Sequence, residues 1–234
     1  MRAIASRRPS TFLRWVRPPQ QARTRESLGR ILDAAEELVA EKGFDEAGIV
    51  DIARKAGSSV GGFYRRFRDK DGLLHALHER FCEEARATAD DALDQQRWEG
   101  ATAAQILPEF TAFLVQIYRD RHGLLRAFLL RGVSDASVRE RTDALFDHLA
   151  GRLAALLRAR RHEITHPDPA LAAAFGLRVV LGTLNQTVQV QPGTLSLSDD
   201  RLTTELTRVF LAYLGVADHK PSKSIRVTNR RNRP

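Results

Sequence analysis

The sequence predicts an all-α protein, a small three-helix N-terminal helix-turn-helix unit followed by a larger helical bundle. Three observations carry this. Apolar residues recur at i, i+3, i+4 and i+7 through most of the chain. Between Pro19 and Pro167 the only helix breaker of its kind is Pro108. No stretch shows the apolar–polar alternation of a half-buried strand, and no internal repeat stands out. At 234 residues, 43% of them hydrophobic and 28% charged, the chain can bury a substantial core without being unusually greasy.

The first helix is signalled by Leu28, Ile31, Leu32, Ala35, Leu38 and Val39, which form one apolar stripe. Thr24 can cap its start, Glu26 suits the first turn, and Gly43 suits its stop, with Phe44 as a hydrophobic closure. A second, short helix is expected over 49–55, where Ile49, Val50, Ile52 and Ala53 run into Ala56-Gly57. A third follows Ser59 and carries Phe63 and Phe67 inward, since i and i+4 share a face. Asp69 then caps a long helix whose buried side is Leu73, Leu74, Leu77, Phe81 and Ala85. The remaining pattern places helices at about 69–96, 102–119, 123–133, 135–161, 168–189 and 199–215, separated by glycine and proline breaks.

Residues 56–67 read AGSSVGGFYRRF and admit two readings. A nucleotide-phosphate loop needs Lys and Ser or Thr after Gly62, and Phe63-Tyr64 stand there instead, with no strand in front. A helix-turn-helix explains more. Glycine accepts the turn's left-handed backbone, Ser59 stands at an N-cap position, and with Phe63 and Phe67 buried, Val60, Gly61, Tyr64 and Arg65 lie outside. From Ile52 to Lys70 there are six basic residues against one acid, Asp69, a net +5 suited to a phosphate-facing surface.

The runs RESLGRILDAAEELVAEKGF, VDIARKAG and SVGGFYRRFRDKDGLL together resemble the DNA-binding domain of the TetR family of transcriptional regulators, over roughly residues 23–74. The resemblance implies a ligand-responsive regulator, a homodimeric repressor or activator, with the repressor preferred, that binds a palindromic DNA operator and is released by a small-molecule effector. The alternative it leaves is a dimeric DNA-binding regulator without a small-molecule effector. It also implies that Tyr64 and Lys70 contact phosphate, while Val60, Gly61 and Arg65 can approach base edges, Arg65 as the guanine reader. Gly48, Ser59 and Gly62 complete the DNA-facing set. Three of the residues here depart from the family pattern: Gly48 in place of a capping Ser or Thr, Ser58 in place of a small apolar anchor, and Gly62 in place of a phosphate-touching hydroxyl.

Other chemistry is spelled out in letters only. HEITH, residues 162–166, matches the zinc-protease signature, but Pro167 pushes His166 out of helical geometry, so the stretch reads as a linker. His75, His78, Glu79 and Cys82 fall at helical spacing and could make a metal face or edge the core. The expectation is no metal, no other cofactor, no catalytic residue and no enzymatic activity.

For the effector, aromatic and polar residues within the helical patterns are the candidates: Phe110, Phe113, Gln116 and Tyr118, then Phe146 and His148, then Phe175, Arg178 and Asn185. The segment from Leu171 to Leu184 is apolar over most of its circumference, so its helix must be buried on several sides. Together with the last helix it would form a four-helix interface between two chains.

Charge completes the domain reading. Residues 1–25 hold seven Arg and residues 219–234 six Lys or Arg, neither with an acid, so the net +8 of the chain leaves residues 26–218 at −5. The expected organisation is a basic, disordered arm (1–22), a helix-turn-helix domain (23–72), a ligand-binding and dimerisation domain (73–216) and a basic, disordered tail (217–234). One cysteine excludes an internal disulfide, no secretory h-region is present, and no run approaches about 18 apolar residues, which together suggest a cytoplasmic protein with no membrane partner.

Overall fold

The computed structural model describes residues 22–190 and 195–216; the two basic arms lie outside the described residues. Within them nine α-helices follow one another and no strand forms: α1 (Ala22–Lys42), α2 (Ile49–Lys55), α3 (Val60–Tyr64), α4 (Lys70–Ala92), α5 (Ala103–Asp120), α6 (His122–Ser134), α7 (Ala136–Arg158), α8 (Pro169–Gln189) and α9 (Asp200–Leu214). Short 3-10 turns at Gln96–Trp98 and Arg161–Glu163 separate α4 from α5 and α7 from α8.

Local chemistry sets most of these boundaries. The side chains of Ser59, Asp69, Asp135, Asp168 and Asp199 each accept a backbone N–H in the first turn of the helix that follows. Each such cap is worth about 1 kcal/mol. Gln105 reaches back to the N–H of Thr102, at 2.9 Å, to open α5. Two expectations are corrected. α1 begins at Ala22, ahead of Thr24, so Thr24 is not its cap. α4 ends at Ala92 rather than near 96, because Asp94 turns back to accept the N–H of Gln96 at 2.7 Å and starts the 3-10 turn.

The N-terminal head is built from α1, α2 and α3, with Ile31, Ala35, Val39, Ile52, Phe63 and Phe67 at its centre. Helix α4 joins head to body: Arg80 pairs with Asp33 at 2.7 Å and with Glu36 at 2.7 Å, both on α1. In the body, α8 lies among α6, α7 and α9. By length and composition α8 is apolar enough to cross a membrane, its few polar residues diluted by Leu, Val and Ala. Here it is a core helix, burying Ala172, Ala173, Gly176, Leu177, Val180 and Leu184. Gly176 permits the closest approach, since a β-carbon there would stand 2.2 Å from Cε2 of the Phe210 ring.

Candidate nucleic-acid interface and effector cavity

The turn between α2 and α3 follows from its residues. Ala56 closes α2, Gly57 takes φ +61°, and the N–H of Ser58 donates to the carbonyl of Ala53 at 2.9 Å. Ser59 then caps α3, its Oγ accepting the N–H of Gly62 at 3.0 Å. Phe63 and Phe67 are fully buried with ring centroids 5.1 Å apart, which fixes the rotation of α3 about its axis. Val60, Gly61, Tyr64 and Arg65 are consequently exposed; Tyr64 is 48% exposed and rests edge-on against Phe63 at 5.6 Å.

Each remaining residue of the expected DNA-facing set has a definite place. Lys70 opens α4 and donates to the carbonyl of Asp45 at 2.9 Å, with its ammonium 4.7 Å from the Phe44 ring centroid. Burial pushes its pKa down, against the pull of Asp45. Gly48 precedes α2 without a side-chain cap, half-buried beside Asp51. Gly62 is buried rather than presented: its N–H is taken by Ser59, and a β-carbon would lie 2.4 Å from the Ser58 hydroxyl. Ser58 therefore sits on Gly62, and the two departures from the family pattern are one spatial feature.

The net positive stretch read from the sequence is smaller in space. Lys55 is held by Glu37 at 2.9 Å and Glu41 at 3.3 Å, and Arg54 by Asp51 at 3.4 Å. Arg65 and Arg68 are exposed and make no ion pair with the described residues, so the free positive charge gathers at the C-terminal end of α3.

A cavity of about 640 Å³ opens in the body, walled by α4 to α8. Phe110, Phe113, Tyr118, Phe146, Arg178 and Asn185 lie on its wall. Gln116, His148 and Phe175 do not. Gln116 donates to Asp120 at 2.7 Å on the outer face of α5, and His148 pairs with Asp90 at 2.9 Å. Phe175 is on an exposed face of α8, its ring tilted against Tyr213 of α9 with centroids 5.1 Å apart. Sequence reasoning missed the contribution of α4 to the wall, His78 and Phe81, together with Phe128 of α6. Their spacing signals a buried stripe but cannot tell a core from a cavity lining.

From the cavity wall at His78 a polar network, buried at His75 and His78 and exposed at Asp71, joins α7 to the start of α4. Arg141 donates from Nε to Nδ1 of His78 at 3.2 Å and reaches Nδ1 of His75 at 3.1 Å. A guanidinium only donates, so both imidazoles carry their proton on Nε2. His78 meets Thr142 Oγ1 at 3.2 Å, and His75 donates to Asp135 at 3.1 Å. Asp135, its carboxyl held down to about 2 by the Ser137 hydroxyl, also pairs with Arg131 at 3.4 Å. Arg131 in turn reaches Asp71 in the first turn of α4, at 2.9 Å. Burial and the Arg141 charge push His78 down to about 4, and burial raises the Cys82 thiol to about 11. His75, His78 and Cys82 are thus structural partners buried in the core.

The HEITH stretch is not helical beyond its first residues. His162 and Glu163 end a 3-10 turn and Ile164 is extended, while Glu163 accepts the N–H of Ala103 at 2.7 Å to cap α5. Next to it, Leu171, Phe175, Val209 and Tyr213 form an exposed apolar stripe across α8 and α9, with the Tyr213 ring 5.2 Å from that of His166.

Comparison with known proteins agrees with this geometry. The family model described as bacterial regulatory proteins, tetR family, matches residues 31–77. A tetracyclin repressor-like C-terminal domain matches residues 102–214. The two together cover more than half of the chain. An HTH-type transcriptional regulator of Bacillus subtilis (strain 168), YvdT, is 34% identical over 93 residues, 39% of this chain and 46% of its own, so the match spans less than half of that relative. Among solved structures, a TetR-family transcriptional regulator of Mesorhizobium loti superposes with TM-score 0.67 at 19% identity, covering 83% of this chain and 98% of that one. The regulator FadR of Bacillus subtilis, in complex with stearoyl-CoA, gives TM-score 0.56 at 22% identity over 80% of this chain and 97% of its own.

Proposed function

Because the chain belongs to the TetR family of transcriptional regulators, we propose that it is a ligand-responsive repressor that binds a palindromic operator as a homodimer in the cytoplasm and is released by a small-molecule effector. The observation that carries this reading is the rotation of α3: with Phe63 and Phe67 locked in the core, Val60, Gly61, Tyr64 and Arg65 form its outward face. A five-residue helix has only one face to offer a major groove, and here that face with its C-cap presents the Tyr64 hydroxyl and the Arg65 guanidinium beside Val60 and Gly61. Arg65 reads a base edge; Tyr64, the last residue of α3, and Lys70, the first of α4, hold phosphates. Gly48, Ser59 and Gly62 act through backbone placement, since Ser59 and Gly62 satisfy each other.

The second copy covers the stripe of Leu171, Phe175, Val209 and Tyr213, giving an isologous four-helix interface that sets two heads about 34–36 Å apart. The effector occupies the 640 Å³ cavity, a size suited to a drug-sized organic molecule; FadR, a relative in fold, is seen with stearoyl-CoA. Coupling runs through His78, which lines the cavity, and Arg141, His75, Asp135 and Arg131 to Asp71, next to Lys70. An occupant that displaces His78 shifts the start of α4 and with it the separation of the heads. The test begins with duplexes selected from a random pool by the full-length protein. The selected sequence should be palindromic, binding should be lost in Arg65→Ala, and sedimentation should give a dimer at micromolar concentration. A non-palindromic consensus or a monomer would overturn the reading.

A further inference from the structure

We infer that the cavity is built for a bipolar amphiphile, an elongated molecule with a carboxylate at one end and a hydroxyl or carbonyl oxygen at the other. The inference rests on the effector reading of this cavity and names the chemistry it selects. Arg178, Leu181, Gly182 and Asn185 of α8 all lie on the wall at i, i+3, i+4 and i+7, so one face of the helix runs along the occupant.

Arg178 marks one end. Its guanidinium carbon lies over the Phe146 ring, 4.1 Å from the centroid. Stacking leaves the N–H edge open, and that edge makes no hydrogen bond or ion pair with the described residues. The two other arginines of the wall are committed: Arg121 faces Glu84 at 3.4 Å, and Arg139 donates to the carbonyl of Gly132 at 2.9 Å. Arg178 is exposed at the rim, where an anion can bind without full loss of water. A planar carboxylate fits the open fork in two parallel hydrogen bonds.

Asn185 marks the other end, deeper in. The buried hydroxyl of Tyr118 donates to its Oδ1 at 2.5 Å, which fixes the amide and leaves Nδ2 with its two hydrogens for an acceptor on the ligand. Seven residues of α-helix separate Arg178 from Asn185, about 10.5 Å at a rise of 1.5 Å per residue. Between them nothing lies within 4 Å of where a β-carbon on Gly182 would be, so the cavity reaches the helix backbone and leaves room for a flat ring beside Leu181. Asp143, three residues before Phe146 on α7, is a further charge on the wall that makes neither an ion pair nor a hydrogen bond with the described residues; a cationic occupant would seek it. Arg178 outweighs it because the guanidinium is held in place and continues directly into the apolar track.

The test uses 4′-hydroxybiphenyl-4-carboxylate, whose two polar ends are about 10 Å apart and so match seven helical rises, with its neutral carboxamide and its aminomethyl cation as matched probes. Titration calorimetry on the full-length protein should rank the carboxylate at least about 10-fold tighter than either partner, the value of a charge-assisted pair. Arg178→Gln should abolish that preference, and Asn185→Ala should remove the advantage of the distal hydroxyl over plain biphenyl-4-carboxylate. Gly182→Leu, which fills the middle and improves the helix, should block all binding with the fold intact by circular dichroism. Equal or tighter binding of the carboxamide or the cation, an unaltered preference in Arg178→Gln, or no binding of the carboxylate overturns the inference. The same probes are run in operator-release anisotropy. Release by the neutral or cationic probe alone would overturn the inference and keep the effector reading. Arg178-dependent binding without release would do the reverse.

Discussion

Gly176→Ala is the sharpest test of how the body is packed. A β-carbon at residue 176 would sit 2.2 Å from Cε2 and 2.4 Å from Cδ2 of Phe210, where carbon atoms normally rest about 3.5–4.0 Å apart. Phe210 is fully buried, so its ring cannot swing into solvent, and either the ring or the α8–α9 spacing must give by more than about 1 Å. Overpacking of this kind costs about 1–3 kcal/mol, at the upper end for two close atoms against a ring. Replacing Gly by Ala in a helix interior returns about 1 kcal/mol. The net is a loss of about 1–2 kcal/mol, or about 3–6 °C in Tm for a chain of this size. Thermal and urea denaturation at fixed protein concentration measure it, since a dimer's Tm depends on concentration. Phe210→Leu supplies the control: with the ring gone, Gly176→Ala should be neutral or stabilising, a coupling of about 1–3 kcal/mol in the double-mutant cycle. A higher Tm for Gly176→Ala alone, or costs that simply add, would refute the packing argument. Because α8 and α9 carry the apolar stripe, sedimentation of Gly176→Ala should also show weaker dimerisation.

Other outcomes follow from the site. Gly61 is exposed, and a β-carbon there would meet only the Ser59 hydroxyl, at 3.9 Å, so Gly61→Ala should raise stability by about 0.5–1 kcal/mol; operator affinity should fall if the backbone lies close to the duplex, and unchanged affinity in anisotropy would discard that close approach. Arg65→Ala should cost about 1–3 kcal/mol of operator binding and relax sequence preference at one position, whereas Lys70→Ala should weaken all duplexes alike and lower the salt slope by about 1. A matching loss of preference in both variants would contradict their separate roles. His78 is held near 4, well below its unfolded value of about 6.5, so the unfolded chain takes up a proton that the folded chain refuses. Its contribution is fully present above about pH 6.5 and is lost as pH falls toward 4, by about 3 kcal/mol in all. Urea unfolding from pH 7.5 to 4.5 should show that decline, and His78→Asn, whose Oδ1 can still accept from Arg141, should flatten it.

Much of the molecule was legible in the chain. The i, i+4 pair Phe63 and Phe67 determined which way α3 faces, because two large rings cannot both be solvated while a core forms beside them. Asp69 announced a helix start that the structure keeps, and the helical patterns expected from about 135, 168 and 199 begin there, after Asp135, Asp168 and Asp199. Other features were not legible. Nothing local says that Glu37 and Glu41 neutralise Lys55, because the partners belong to a different helix. Nor does the apolar stripe of α4 reveal that His78 and Phe81 face a cavity while Leu73 and Leu77 face solid core. Gln116, His148 and Phe175 have the composition of cavity residues and lie elsewhere, on exposed or partly exposed faces of their helices.

By itself the sequence determined which segments are helical, where most of them begin, and which side of each is apolar. Those properties depend on periodicity and on caps, interactions that span one or two turns. Tertiary structure alone decided which buried faces close tightly and which leave space. A gap depends on the summed shapes of side chains from five helices, as Gly182, with nothing within 4 Å of its missing β-carbon, opens on the cavity while Gly176 against Phe210 shuts the core. Two glycines six residues apart on one helix read alike in the chain; only the neighbours brought by folding make one a passage and the other a contact.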